Sequence, residues 1–414
     1  MRRQSPTVSV IDQGVDASVC RMALSGLCAS LIGIGLSRFA YTALLPELIV
    51  AHWFAPSLAA YLGAANLAGY LAGALVAQPI ASRMSVVGVL RAMMLLGSAA
   101  FFACASPVSF SWLFLWRFAS GVSGGVLMVL VAPTVLPNVS PSRRGLVGGA
   151  IFVGIGCGIV ASGALVPALL RWGLPQTWAG LGTLALALSV VAWNGWPVAG
   201  PATRRIRLGG QRFGSLFRNP ALRALYLEYT LNAFGLVPHM IFLVDFVARG
   251  VGKGLAAGAQ DWVLFGLGAM AGPVCAGYIG DRVGFRSALR LAFLIQAAAV
   301  AILAVNSRPI SLTVSSLVIG AFVPGIVPLT LGRVHELIPG DTVLQKSAWS
   351  LCTTAFALGQ AAGAYAFSAI FAQTKGAYAP LFMLGGGALV LAFTVDMATA
   401  VLAARCGEAG ADGV

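Results

Sequence analysis

The sequence predicts an all-α membrane protein, with twelve transmembrane helices in two pseudo-symmetric six-helix bundles. Three observations carry that prediction. First, 59% of the 414 residues are hydrophobic and only 9% are charged, with mean hydropathy +0.90. A soluble chain carries about 25% charged residues, so lipid must be the solvent for much of this surface. Second, Pro, Gly and charge clusters cut the chain into apolar runs of spanning length. Third, the basic residues alternate in density from one connection to the next.

The runs cover 21–46, 58–80, 86–105, 111–135, 145–170 and 176–197, then 221–247, 258–280, 287–305, 310–333, 345–372 and 377–403. Each is about twenty residues or more, enough to cross roughly 30 Å of hydrocarbon as a helix. Strand-like alternation is absent, and only helices or closed barrels satisfy their backbone in lipid. The polar stretch 198–220 divides the runs six and six. The expected organisation is a cytoplasmic tail (1–20), a first bundle (21–197), a cytoplasmic linker (198–220), a second bundle (221–404) and a short tail (405–414). Arg83 and Arg282 follow the second helix of their respective halves, a weak echo of duplication. Duplicated halves joined by a linker are a transporter architecture, with the substrate at the midplane between them.

Charge placement agrees with the count. With both termini cytoplasmic, the inner connections hold Arg2, Arg3, Arg21, Arg83, Arg91, Arg143, Arg144, Arg282, Arg286, Arg290, Arg333, Lys346 and Arg405. They also hold the central Arg204, Arg205, Arg207, Arg212, Arg218 and Arg223, which makes nineteen of the 26 basic residues. The outer loops hold five, Arg171, Arg249, Lys253, Arg308 and Lys375. That is the positive-inside bias, and it makes the +14 net charge a matter of topology, not a nucleic-acid footprint. The seven cysteines (20, 28, 104, 157, 275, 352, 406) have no metal-like or paired spacing and read as small packing residues. The polar first twenty residues, with Asp12 and Asp16, point to a retained first span. Gly121-Val-Ser123-Gly-Gly125 imitates a hydrolase nucleophile elbow but lies inside an apolar run, so no enzyme is expected.

Residues 277–286, Gly-Tyr-Ile-Gly-Asp-Arg-Val-Gly-Phe-Arg, read as a charged, sharply turned loop between two apolar runs. They resemble the cytoplasmic loop signature of the major facilitator superfamily, and the first-half copy keeps Arg83 but has lost its acid. The fourth run carries a second signature, Leu113-x3-Arg117-x2-Ser120-Gly121-x3-Gly125. Arg38-Phe39-Ala40-Tyr41-Thr42-x-Leu44-Leu45-Pro46 and Tyr61-Leu62-Gly63-Ala64-Ala65-Asn66 are similar to the YbfB/YjiJ-type branch. Ile159 stands where antiporters of the superfamily carry Pro, which weakens a drug/proton antiporter assignment.

The resemblance implies the major facilitator fold, with runs 1, 4 and 7 lining a central cavity. It implies a conformational gate at Gly277, Gly280, Asp281, Arg282, Gly284 and Arg286, facing Arg83, Arg143 and Arg144. Asp281 is expected to dock beside the Arg143–Arg144 pair only when the inner side is closed. Paired glycines 69/73, 154/158, 268/272 and 359/363 are expected at the sliding interface between the halves.

Ionisable groups in spans cost roughly 2.5–3.5 kcal/mol each, so each is a functional hypothesis. Arg38, Tyr41, Asn66, Arg117, Asn232 and His239 are the cavity candidates, and the converging cations favour an anionic or carboxylate-bearing solute. For Arg117 and Arg38 the competing reading is a brace on their neighbours, and for His239 it is a hydrogen-bonded packing residue. Glu228 and His239 are the proton-coupling candidates, since a carboxyl in an apolar span and an imidazole with its ordinary value near 6.5 both suit proton exchange. Asp245 and Asp261 are expected to be solvated at the outer ends, and Asp396 to form a salt bridge. Phe39, Tyr70, Trp116, Tyr226, Tyr229 and Trp349 are further candidates for lining or for interfacial belts.

The expected function is secondary active transport of a small organic anion by alternating access, driven by the proton gradient with no cofactor or metal. Drug or metabolite efflux and a non-transporting sensor or scaffold are the alternatives. The expected setting is a bacterial inner membrane, with lipid and a small-molecule substrate as partners, no nucleic acid, and function as a monomer.

Overall fold

The computed structural model describes residues 17–140, 143–197 and 210–411. Arg2, Arg3, Arg204, Arg205 and Arg207 of the predicted tail and linker lie outside the described residues. Among the described residues there are twelve helices long and apolar enough to cross a membrane. They are α1 (Ala17–Val50), α2 (Pro56–Ala81), α3 (Val86–Ala103), α4 (Phe110–Asn138), α5 (Arg144–Trp172), α6 (Leu174–Ala192), α7 (Pro220–Gly250), α8 (Gly254–Val283), α9 (Phe285–Val305), α10 (Pro309–Leu337), α11 (Thr342–Gln373) and α12 (Ala379–Leu402). A short helix, Gly210–Arg218, lies in the stretch expected as linker, and α12 continues helically to Ala411.

Close backbone approach sets the packing inside each half. Gly69 and Gly73 of α2 press on the Phe118 and Val122 backbone of α4, and Gly268 and Gly272 of α8 press on Leu317 and Ala321 of α10. A Cβ on Gly272 would lie 1.9 Å from the Ala321 carbonyl oxygen. The two halves thus repeat one contact at equivalent places, as duplicated bundles do. Gly154 and Gly158 pack on α1 at Leu27 and Gly35, and Gly359 and Gly363 pack on α7 at Thr230 and Phe234. This corrects the expectation for all four pairs: each faces its own half, because small residues serve whichever neighbour comes closest.

The boundary between the halves is formed by α5 against α8, α2 against α11, and the second part of α1 against α7. Glycines found there include Gly63, Gly156, Gly163 and Gly266, with Gly63 beside Ile241, Gly156 beside Met270 and Gly163 beside Val263.

One end of the bundle carries Ala17, the end of α6 and the start of α7 (the terminal end). The other carries the α1–α2, α7–α8 and α11–α12 turns (the loop end). The halves meet mainly toward the loop end. Tyr61 and Tyr365 have ring centroids 6.1 Å apart, Phe39 lies 5.8 Å from Trp262, and Trp262 donates to Ser162 Oγ at 3.1 Å. Toward the terminal end, a Cβ on Gly145, Gly149 or Gly277 would meet nothing within 4 Å. The larger apolar core runs through both halves, whereas the smaller one, around Leu222, Leu289 and Leu329, belongs to the second half alone. The loop end is closed and the terminal end is splayed.

The stretch 277–286 is not a loop. α8 continues through Asp281 and Arg282 to Val283, and only Gly284, at φ +82°, turns the chain into α9. Solvation of charge at a membrane surface does not require unwinding, so the helix outlasts the apolar run. Positive φ is open to Gly at no steric cost, which is why the turn falls there.

Candidate functional site

The site begins with a break in α1. Residues Ala17–Ser30 are α-helical, Leu31–Leu36 form a π-helical turn, and a new α-helix starts at Ala40 and runs to Val50. Gly33 and Gly35 permit this, since a Cβ on Gly35 would lie 2.8 Å from the Gly158 Cα. Widened turns of this kind concentrate at functional sites. The second helix starts after Phe39 without a side-chain cap.

At the break, the Ser37 carbonyl accepts from three side chains: Arg117 Nη1 at 2.7 Å, Asn66 Nδ2 at 3.3 Å and Ser120 Oγ at 3.3 Å. Asn66 also donates to Ser120 Oγ at 3.0 Å. Arg117 is 2% exposed, its guanidinium lies 4.5 Å over the Tyr41 ring, and Tyr41 donates to the Ala59 carbonyl at 2.6 Å. Among the described residues no carboxylate pairs with Arg117. Arg117, Asn66 and Tyr41 therefore brace the broken helix inside the first half.

Arg38 is the next residue along and points elsewhere. It is half-buried at the boundary between the halves. Its Nη2 donates to Met240 Sδ of α7 at 3.9 Å, and its guanidinium lies 5.3 Å from the Phe39 ring and 5.5 Å from the Tyr70 ring. Among the described residues its Nε is buried without an acceptor, and no carboxylate pairs with it. From α11, Gln360 Nε2 donates to the same Met240 sulfur at 3.8 Å, and Gln360 Oε1 is buried with no donor. Beside them Thr42 Oγ1 donates to the Met240 carbonyl at 2.5 Å. An underserved cation and an underserved amide meet here across the two halves.

Asn232 and His239 lie apart from this place. Asn232 Nδ2 donates to Gln296 of α9 at 2.8 Å. His239 Nε2 is 2.7 Å from Ser315 Oγ, and that hydroxyl donates to the Ala299 carbonyl, so Nε2 carries the proton toward Ser315. Both are fully buried inside the second half and serve its packing. Of the six cavity candidates, Arg38 alone touches both halves. Asn232 and His239 turn to neighbouring helices of their own half: α7 is buried nearly all round, with 89% of its apolar window enclosed, so periodicity does not mark a cavity face on it. Gln360 and Met240 were not among the candidates, although the uncharged amides Asn66 and Asn232 were. An uncharged amide in an apolar run is the signal that finds Gln360.

Glu228, 4% exposed on α7, takes no hydrogen bond or ion pair among the described residues. The charges around it are Asp396, Arg333, Arg286 and Arg290. Asp396 binds Arg286 at 3.3 Å and also pairs with Arg290, as expected of a salt bridge on α12. Asp245 and Asp261 are buried, contrary to the expectation of solvation. The closed loop end explains this: Arg249, brought back by the π-helical turn Phe246–Gly250, and Tyr378 Oη at 2.6 Å both bond the Asp245 carboxylate. Burial, then the Asp245 charge, pushes the Tyr378 hydroxyl well above its ordinary value.

The gate residues share the terminal end but not one cluster. Asp281 is exposed and makes no ion pair among the described residues, Arg282 lies 4.3 Å over the Tyr278 ring, and Gly280 packs against Phe285 and Leu329. Glu336 of α10 accepts from the Phe285 amide at 2.9 Å and from Arg333 at 2.8 Å, tying the Gly284 turn to α10. In the first half Arg83 is exposed, and the equivalent turn is capped only by its own Ser85, accepting from the Gly88 amide at 3.4 Å. Arg144 Nε donates to the Val139 carbonyl at 3.1 Å, and Arg143, half-buried, precedes α5. Ser123 of the apparent nucleophile elbow donates to the Met93 carbonyl at 2.7 Å inside the helix packing. No group of three or more metal-ligating side chains occurs among the described residues.

Comparison with known proteins agrees with this architecture. The family model described as "Uncharacterised MFS-type transporter YbfB" matches residues 30–397. No curated protein sequence matches. A mutant of the nucleoside transporter NupG superposes with TM-score 0.73 at 14% identity, over 91% of this chain and 99% of that one. A bacterial homologue of the human lysosomal transporter Spinster, solved inward-facing and unoccupied, superposes with TM-score 0.65 at 14% identity, over 94% and 96%.

Proposed function

Because the chain belongs to the YbfB-type family of major facilitator transporters, we propose that it carries a small, carboxylate-bearing organic solute across the membrane by alternating access, coupled to protons. One observation supports the anionic cargo above all. Arg38 brings a guanidinium to the boundary between the halves and has only a thioether sulfur and two aromatic faces for company. A cation in a dry span without a counter-charge is costly, and an anionic ligand is what relieves it.

The rest of the cycle follows from the two ends. With the basic connections cytoplasmic, the splayed terminal end faces the cytoplasm of a bacterial-type inner membrane and the state is inward-facing. Glu228, unpaired beside the Arg286–Arg290–Asp396 cluster, is the proton carrier in this reading. A proton crossing 100 mV supplies about 2.3 kcal/mol, enough for modest accumulation. No cofactor enters the cycle, and one chain suffices.

The test is flux in proteoliposomes under an imposed pH gradient, with small carboxylates set against cationic drugs. Gradient-driven carboxylate flux that Arg38→Gln abolishes is the expected result. Transport of cations without anions overturns the cargo, and no flux of any kind favours a sensor.

A further inference from the structure

We propose that the ligand is a mono-anionic carboxylate bearing a hydrogen-bond donor on the adjacent carbon, a 2-hydroxy or 2-acylamino acid with an apolar remainder. The inference rests on the anionic reading of Arg38 and adds what Gln360 and Met240 require.

Met240 Sδ receives two donors, Arg38 Nη2 at 3.9 Å and Gln360 Nε2 at 3.8 Å. A thioether is a weak acceptor, poorly matched to a guanidinium and an amide in a dry place. The two donors come from α1 and α11, one from each half. A carboxylate between them replaces the sulfur as acceptor for both, in charge-assisted bonds. Met side chains are adaptable enough to withdraw.

A carboxylate alone leaves one demand unmet. Gln360 is 1% exposed, and its Oε1 has no donor. A buried acceptor left unpaired is a penalty that a ligand O–H or N–H removes. Both atoms belong to one amide, so the ligand's acceptor and donor sit side by side, as on a 2-substituted carboxylate. Charge limits the class further. Arg117 is already committed to the Ser37 carbonyl and the Tyr41 ring, so only one cation is available. A second carboxylate finds no partner, and an ammonium beside Arg38 meets repulsion. Tyr70, half-buried beside the guanidinium, receives an apolar group, whereas Phe39 is already packed on Trp262 and Phe265.

The experiment compares three probes of one skeleton on the purified full-length protein by equilibrium binding: 2-hydroxy-4-methylpentanoate, 4-methylpentanoate and leucine. The hydroxy acid is expected to bind about tenfold tighter than the plain acid, the worth of one buried hydrogen bond, and leucine not at all. Gln360→Leu should abolish the tenfold difference, whereas Met240→Leu, which removes the sulfur and keeps the volume, should preserve it. Arg38→Gln should lose both acids. Equal binding of the two acids to the native protein overturns this inference while leaving the anionic reading intact, because both still depend on Arg38. Binding of leucine in preference to either acid, or of neither acid, overturns both. The comparison of the native protein's affinities stands even if a variant misfolds.

Discussion

Arg117 reaches from α4 to the Ser37 carbonyl at 2.7 Å, at the point where α1 is broken, while Arg38, the residue after Ser37, turns to α7 and bonds nothing stronger than a sulfur. The two arginines thus have separable roles. Arg117→Gln is expected to lower stability by about 1–3 kcal/mol, since it removes the shortest of the three bonds to the Ser37 carbonyl, a charge-assisted one, together with the contact over the Tyr41 ring. Arg38→Gln is expected to leave the unfolding midpoint within about 1 kcal/mol of native and abolish anion binding. Thermal unfolding in detergent paired with ligand binding reads both, and loss of folding in the Arg38 variant would refute the division.

Glu228→Gln removes the unpaired carboxyl beside Arg286, Arg290 and Asp396. Concentrative uptake driven by a pH gradient should fall at least about tenfold, in keeping with loss of a proton worth about 2.3 kcal/mol per 100 mV. Exchange of labelled for unlabelled solute, which needs no net proton movement, should persist. Undiminished accumulation would remove Glu228 from the coupling.

Gly272 and Gly277 differ by one and a half turns of α8 and should differ sharply in tolerance. Gly272→Ala drives a methyl into the Ala321 carbonyl and should cost about 1–3 kcal/mol or more. Gly277→Ala meets open space and should be neutral or slightly stabilising. Folded yield and unfolding midpoint of the two variants make the comparison.

The Asp245–Arg249–Tyr378 cluster closes the loop end. Asp245→Asn is expected to cost about 1–3 kcal/mol, because it removes the charge partner of a half-buried guanidinium, and Tyr378→Phe about 1 kcal/mol. The Tyr378 hydroxyl is raised, so the folded state holds its proton more tightly than the unfolded one. Its contribution is complete below the unfolded value near 10 and is lost only as pH rises beyond it. Unfolding free energy of Tyr378→Phe against native should therefore show a constant difference from pH 5 to 8.

Asp281 makes no ion pair among the described residues while the terminal end is splayed, so its substitution should act on the other state. Asp281→Asn is expected to raise the labelling of a cysteine placed at Gly149 by a membrane-impermeant maleimide. Unchanged labelling would mean that Asp281 holds no latch.

The twelve helices, the six-and-six division and the family were legible because apolar length and charge spacing are properties of consecutive residues. Arg38 was legible too, as an ionisable group the membrane penalises wherever it points. The misplacement of His239 and Asn232 has a different origin. On a helix enclosed by protein on every side, a polar residue facing a sister helix and one facing the cavity leave the same mark in the sequence. The break in α1 is hidden for a related reason: Gly33 and Gly35 resemble packing glycines until Gly158 and Gly124 are known to press against them. Gln360 was visible throughout as an amide amid alanines and glycines, the same mark that put Asn66 and Asn232 among the candidates.

The aromatic contacts between the halves at the loop end make opening there a wetting event. Phe39, Trp262, Phe265, Tyr61 and Tyr365 exchange one another's faces for water when the halves part on that side. Exposure of apolar surface to water raises heat capacity, and its penalty shrinks as temperature falls. The equilibrium between the two states should therefore be curved in temperature, with chilling loosening the aromatic seal. This molecule's resting posture is in part a thermometer.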